Sequence, residues 1–246
     1  HNLPVQQRPE RDPSGIGGVG MLRGTRLWWY RQKKRESTLP YPDRVLSYSP
    51  IQYYRFNEPA PDTTIIDYSG LALNGTYNSG GTRQDKLAPT GVSVNSWDGV
   101  TDLAEGGLFT DPVDTEPFFA TGSIAFWLQV IAYPGTGEEY ALRHKRGNMD
   151  MLCVLLDTGH IRLDQYGIGT DMGAHTVGDW VHLGCCWNGT DSRWFVDGTK
   201  IHTGDAAAFV DGGYAAYNFA YAAGAYANVA FAEYACFKTK LADAAF

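Results

Sequence analysis

No stretch of this 246-residue chain approaches the eighteen or so uninterrupted apolar residues that a membrane-crossing helix requires. There is no Gly-x-x-x-x-Gly-Lys-Ser/Thr loop to cradle phosphates, no dinucleotide fingerprint in a strand-to-helix setting, and no Gly-x-Ser-x-Gly elbow to present a nucleophilic serine. Carboxylates two and four residues apart on one strand, the pattern that grips a glycosidic bond, are also missing. Glu138-Glu139 stands beside Gly137 and reads as a loop tip, while Asp98 and Asp102 flank a Gly-Val-Thr turn. A Ser-His-Asp triad, whose members meet only in the fold, stays open, but the chain reads as a non-enzyme. Cysteine is sparse. Cys153, Cys185, Cys186 and Cys236 lack zinc-ligand spacing, and each sits in an apolar, strand-like context. They are expected to be reduced core residues, with the adjacent Cys185 and Cys186 facing opposite sides of one strand. The opening His1-Asn2-Leu3-Pro4 has neither an apolar signal-peptide core nor an initiator methionine, which points to a processed or incompletely represented start.

Glycine and aromatics are plentiful: 29 Gly, 15 Tyr, 11 Phe and 7 Trp, in a chain that is 43% hydrophobic. Aromatic side chains suit pleated sheets and glycine suits tight turns, so an all-β domain is expected. Charge is unevenly spread. Residues 1–36 hold eight cations (Arg8, Arg11, Arg23, Arg26, Arg31, Lys33, Lys34, Arg35) against Glu10, Asp12 and Glu36, a net +5, which leaves −12 on the remainder of a chain at −7. Residues 1–40 show no regular period, and 13–20 are flexible by composition. Within them Arg26-Leu27-Trp28-Trp29-Tyr30-Arg31 sets three consecutive aromatics between cations, which marks a site of attachment to a partner or to the chain's own domain.

From residue 41 onward short apolar runs alternate with turn signals. Ile51–Phe56, Ser123–Val130, Met149–Leu156, His160–Asp164, Trp180–Trp187, Arg193–Val196 and Ala227–Phe237 read as strands. Asp157-Thr158-Gly159, Asn188-Gly189 and Asp197-Gly198 read as the turns of hairpins. The expected fold is an antiparallel β-sandwich over residues 41–246 behind an extended basic arm, residues 1–40. A Tyr/Ala-rich stretch, 214–226, is either a loop or a strand with small residues on one face, and 241–246 is expected to form a short helical turn.

Four segments then carry a family resemblance. Tyr41-Pro42-Asp43-Arg44-Val45-Leu46-Ser47-Tyr48-Ser49-Pro50 leads through Ile51–Glu58 to Asp67-Tyr68-Ser69-Gly70-Leu71-Ala72-Leu73-Asn74-Gly75-Thr76-Tyr77. Val94–Gly99 and Gly122–Leu128 follow, and Gly178-Asp179-Trp180-Val181-His182-Leu183 pairs with Arg193–Gly198. In this order they resemble the laminin G/pentraxin-like branch of the concanavalin A-like jelly rolls, as found in bacteriophage virion proteins. The resemblance implies a structural component on a capsid or tail surface, for decoration or cement, fastened by Arg26–Arg31 to a major capsid or tail protein. Homo-oligomers are compatible with that role; a membrane is not implied, and the −12 body disfavours nucleic acid. The other function the resemblance implies is a calcium-dependent carbohydrate-binding module. Asn148 and Asp150 match a family calcium-ligand position, although Lys145 and Arg146 beside them would repel a cation, and a hairpin-turn Asn148 with a solvent-facing Asp150 fits better. His182 is expected to be a packed strand residue, and Trp180, Trp187 and Trp194 are expected to fill the core.

Overall fold

The computed structural model describes residues 39–246, apart from 60–61, 79–83, 107–120, 147–148, 166–167, 189–190, 206–214 and 223–224. The attachment segment Arg26–Arg31 therefore lies outside the described residues. Residues 41–246 form one compact unit, and among the described residues no helix is long and apolar enough to cross a membrane.

Strands are numbered in chain order. A seven-stranded sheet runs β1 (Gln52–Tyr54), β19 (Asn228–Phe237), β8 (Thr121–Val130), β13 (Trp180–Asn188), β14 (Asp191–Val196) and β15 (Thr199–Asp205), with β6 (Ser96–Asp98) also paired to β19. An eight-stranded sheet runs β12 (Ile168–Ala174), β11 (His160–Gln165), β10 (Met149–Leu156), β9 (Glu138–Arg146), β16 (Ala215–Phe219), β7 (Ala104–Glu105), β3 (Gly75–Tyr77) and β2 (Thr64–Ile65). Two small hairpins complete the list: β4 (Lys86–Leu87) with β5 (Ser93–Val94), and β17 (Tyr221–Ala222) with β18 (Ala225–Tyr226). The pairings are antiparallel, and the fold is an all-β jelly-roll sandwich.

The expected hairpins are present. Cys153 opposes Leu163 across β10–β11, and Asn188 opposes Asp191 across β13–β14. Between β14 and β15, Asp197 and Gly198 both take positive φ, 50° and 74°, the two left-handed residues that a tight hairpin turn of matching twist requires.

The core lies between the sheets. Phe126, Leu128, Leu183, Cys185, Trp187, Val229 and Phe231 from one sheet meet Leu142, Cys153, Leu155, Ile161, Leu163 and Phe219 from the other. Phe219 is central, its ring 4.9 Å from Phe56, 5.1 Å from Tyr234 and 5.4 Å from Phe231. Each such ring, fully buried, stabilises by about 1.5–3 kcal/mol relative to exposure.

The seven-stranded sheet is covered on its other face as well. Helix Tyr41–Ser47 lays Val45 and Tyr41 against Tyr53, Ala235 and Phe237. The β4–β5 hairpin brings Ala88 and Val94 to Trp127 and Ala232. The C-terminal segment brings Leu241 and Phe246 to Cys186 and Phe195. This double coverage explains why β8, β13 and β19 read as near-continuous apolar runs instead of alternating. In β1 likewise Gln52, Tyr53 and Tyr54 are all buried. Cys185 belongs to the inter-sheet core and Cys186 to the outer cluster, and all four cysteines are free and buried.

The Asp67–Tyr77 motif is a structural loop. Asp67 Oδ1 accepts hydrogen bonds from the Tyr53 and Ser69 amides, both at 2.9 Å. Its Oδ2 accepts from Ser69 Oγ at 2.7 Å and the Leu73 amide at 2.9 Å. The Asp67 amide in turn donates to Asn74 Oδ1. Gly75 is required by space: a Cβ there would sit 2.5 Å from the Glu105 carbonyl oxygen. In β19 the register shifts between Ala232 and Ala235, and Glu233 takes φ 54°. That left-handed residue costs about 1–2 kcal/mol, and its carboxylate is buried, with Tyr53 Oη donating to it and Arg55 paired with it at 3.3 Å.

Candidate functional site

Among the described residues, the sandwich face left uncovered is the outer face of the eight-stranded sheet. Along β10, Met151, Cys153 and Leu155 enter the core, so Leu152, Val154 and Leu156 face outward. Register sets Tyr140, Val154, Arg162 and Asp171 in one row across four strands, with Arg143, Leu152, Asp164 and Gly169 in the next. Asn218 extends that second row beyond Arg143. Val154 is nonetheless fully buried.

Arg162 organises this face. Its Nε and Nη2 donate to Asp164 Oδ1 and Oδ2, both at 2.8 Å. Its Nη1 and Nη2 donate to Glu138 Oε1 and Oε2 at 2.7 and 3.1 Å. Two fork-like pairs therefore fix one guanidinium between two carboxylates. The Arg162 pKa is pushed up by the hydrogen bonds to Asp164 and then to Glu138. Gly169 lies opposite Asp164 in the ladder, and a Cβ there would fall 2.6 Å from Asp164 Oδ1 and 2.9 Å from Arg162 Cδ. Any side chain at 169 would press on the pair. Nearby, His160 Nδ1 meets Asp171 at 2.9 Å, and the Asp171 carboxyl is held below its ordinary range by the Gly173 amide and by His160.

The chemistry available here is recognition. The guanidinium holds both carboxylate planes in fixed orientations, and their remaining lone pairs are acceptors for hydroxyl groups. Tyr140, half-buried in the adjoining row, offers an amphipathic ring. The triad carries a net single negative charge and leaves no free guanidinium edge for an anion.

The other buried carboxylate clusters are sealed. Tyr53 is fully buried and Glu233 is 1% exposed, and burial beside Glu233 pushes the tyrosine hydroxyl pKa up. Glu58, also 1% exposed, accepts from Tyr77 Oη at 2.7 Å and the Ile66 amide at 3.0 Å. Both clusters brace loops.

Of the positions singled out in the sequence, Arg26, Leu27, Trp28, Trp29, Tyr30, Arg31 and Asn148 lie outside the described residues. The backbone of Asp150 lies in β10 opposite Lys145. Among the described residues no group of three or more His, Cys, Asp or Glu side chains is arranged to hold a metal ion. His182 is buried at 7% exposure within reach of Tyr41 Oη at 3.3 Å and against the Trp127 ring, a packed strand residue as expected. Trp187 and Trp194 are core, whereas Trp180 is half-buried and donates to the Leu87 carbonyl. Glu138 and Glu139 open β9 and are not a loop tip, because the β9–β10 ladder extends to Glu138 opposite Leu156. Arg162 and Asp164, two apart on an alternating strand, could have been placed on one face from sequence; Glu138 joins them only through strand register.

No protein-family profile matches this chain, and no curated protein sequence matches it. Solved structures do. A mutant of Trypanosoma rangeli sialidase displaying trans-sialidase activity superposes with a TM-score of 0.62 at 10% identity, over 90% of this chain and 37% of that one. The same organism's sialidase in complex with 2,3-difluorosialic acid gives 0.61 at 11% identity, over 80% and 32%. The receptor-binding domain of a botulinum neurotoxin C/D mosaic serotype gives 0.60 at 11% identity, over 79% and 49%. The chain thus spans a third to a half of the length of these proteins. Identity this low shows the fold alone, a jelly-roll β-sandwich, and the neighbours include both an enzyme and a binding domain.

Proposed function

We propose that this chain is a non-enzymatic attachment protein whose sandwich binds neutral, hydroxyl-rich glycans across the outer face of the eight-stranded sheet. One observation carries the reading: on the outer face of the eight-stranded sheet, Arg162 is held in two directions by Glu138 and Asp164, beside a glycine whose missing side chain leaves the pair its space. The receptor-binding domains among the structural neighbours support a binding role for the fold. The net negative triad favours uncharged sugars over sialylated or sulfated ones, because a like charge would meet Asp164 and Glu138 with the arginine already engaged. No metal is needed.

The test is a glycan array followed by titration of the bound sugars. Neutral glycans bind, binding survives a chelator, and Arg162→Met weakens it at least tenfold, about 1.4 kcal/mol. A preference for anionic glycans, or loss of binding on chelation, refutes this reading and favours the calcium-dependent one.

The setting we propose is a bacteriophage virion surface. The basic aromatic arm, with Trp28, Trp29 and Tyr30 as anchors, docks on a capsid or tail protein, and many copies bind glycans with high avidity. The phage-like opening segment and the charge division between arm and body support it. Removal of residues 1–36 should abolish copurification with particles; full occupancy without them overturns the anchoring.

A further inference from the structure

Residues 238–246 cross the outer face of the seven-stranded sheet with only one short 3-10 turn, Asp243–Ala245. They are tied down in three ways. Ser123 Oγ donates to the Thr239 carbonyl at 2.8 Å and accepts from the Leu241 amide at 2.9 Å. Ion pairs link Asp243 to Arg193 at 2.7 Å and to Lys200 at 3.1 Å, and link Lys240 to Asp191. Phe246 stacks on Phe195 with centroids 4.4 Å apart and planes at 9°. Phe246 fits because residue 184 is glycine: a Cβ there would stand 2.3 Å from Phe246 Cδ1. Beneath this strap lies Cys186, fully buried, the one cysteine of the outer cluster; Cys153, Cys185 and Cys236 lie in the inter-sheet core.

We propose that residues 238–246 form a releasable latch, held by the Phe246 stack, the Ser123 hydrogen bonds and salt-sensitive ion pairs together, that gates the Cys186 thiol: closed it seals the thiol, and released it opens the thiol to soft electrophiles while the sandwich stays folded. The ion pairs are partly exposed, with side chains of Asp191, Arg193, Lys200 and Asp243 between 31% and 44% accessible, so each contributes little and salt screens them. Strand pairing does not involve the segment, since β19 ends at Phe237, and separately held elements open ahead of the whole. Burial pushes the Cys186 thiol up to about 11 against the opposing pull of Lys240 and Arg193, with Asp243 and Asp191 adding to the rise. Release removes the burial and leaves Arg193 beside the sulfur, the setting in which a thiolate forms more readily.

Alkylation of the full chain with a maleimide, read peptide by peptide by mass spectrometry, tests this. The Cys186 thiolate adds to the maleimide double bond and the ring carbon takes a proton from water. Cys186 is expected to react fastest of the four, at least tenfold faster in about 1 M NaCl than in low salt. Asp243→Ala is expected to bring a similar acceleration in low salt, with Cys153, Cys185 and Cys236 unchanged. Salt on the unmodified protein keeps the test valid where the variant folds poorly. If Cys186 reacts no faster than its neighbour Cys185, if all four accelerate together, or if salt leaves the rate unchanged, the latch is refuted.

Discussion

Replacing Asp67 by alanine should expose how much of the sandwich edge hangs on one carboxylate. Asp67 is 7% exposed and receives three backbone amides and one hydroxyl. The Tyr53 amide belongs to a fully buried residue of β1, so its loss of a charged acceptor costs about 1.5–3 kcal/mol. The Ser69 and Leu73 amides are part-buried and regain some water, which adds about 0.5–1 kcal/mol each. The expected destabilisation is about 3–4 kcal/mol, a drop in midpoint of about 10 °C for a domain of this size. Asp67→Asn should fall between, since its Oδ1 still accepts from Tyr53 and Ser69 while its amide group meets the Leu73 N–H, donor against donor. Urea unfolding followed by tryptophan fluorescence, with equal slopes for the variants, measures both. The reasoning fails if Asp67→Ala lies within about 1 kcal/mol of the parent, or if the asparagine is as damaging as the alanine.

Two further outcomes follow from the packing and the charges. Phe219→Ala, which removes the ring shared by Phe56, Phe231 and Tyr234, should cost about 3–5 kcal/mol in the same assay. Acid should release the C-terminal segment before the sandwich. Asp191 is held below the ordinary carboxylate range by Lys240 and then Arg193, and Asp243 by Arg193 and then Lys200. Depressed carboxylates stabilise fully above their ordinary values and lose that contribution as pH falls below about 4. Amide exchange at Leu241, corrected for intrinsic rate, should therefore rise relative to Leu183 between pH 6 and pH 3, and a constant ratio contradicts it.

The strands were legible wherever apolar residues and turn residues agreed. Met149–Leu156 with His160–Gln165, and Asp197-Gly198 between β14 and β15, are local patterns whose geometry follows from neighbours in sequence. The division of Cys185 from Cys186 followed from pleating alone. The helix Tyr41–Ser47 was not foreseen, although Pro42 and Asp43 occupy its first turn and Pro50 follows its end. Whether the outer sheet face is covered depends on which distant segment returns to it, and nothing near β13 announces Phe246. The candidate binding face was half legible. Arg162 and Asp164 share a strand and an alternation, whereas Glu138 arrives from a strand 24 residues away.

The place of β19 bears on how the chain must be made. The last strand in sequence, ending at Phe237, sits inside its sheet, hydrogen-bonded to β1 and β6 on one side and β8 on the other. During synthesis the ribosome delivers β1, β6, β8 and β13 long before the strand that joins them. The nascent polypeptide thus carries an unfilled slot, lined by the rings of Tyr54, Phe126 and Trp97, until residues 228–237 have been made. Premature termination anywhere upstream of residue 228 yields a half-zipped, sticky product, a natural client for chaperones and proteases.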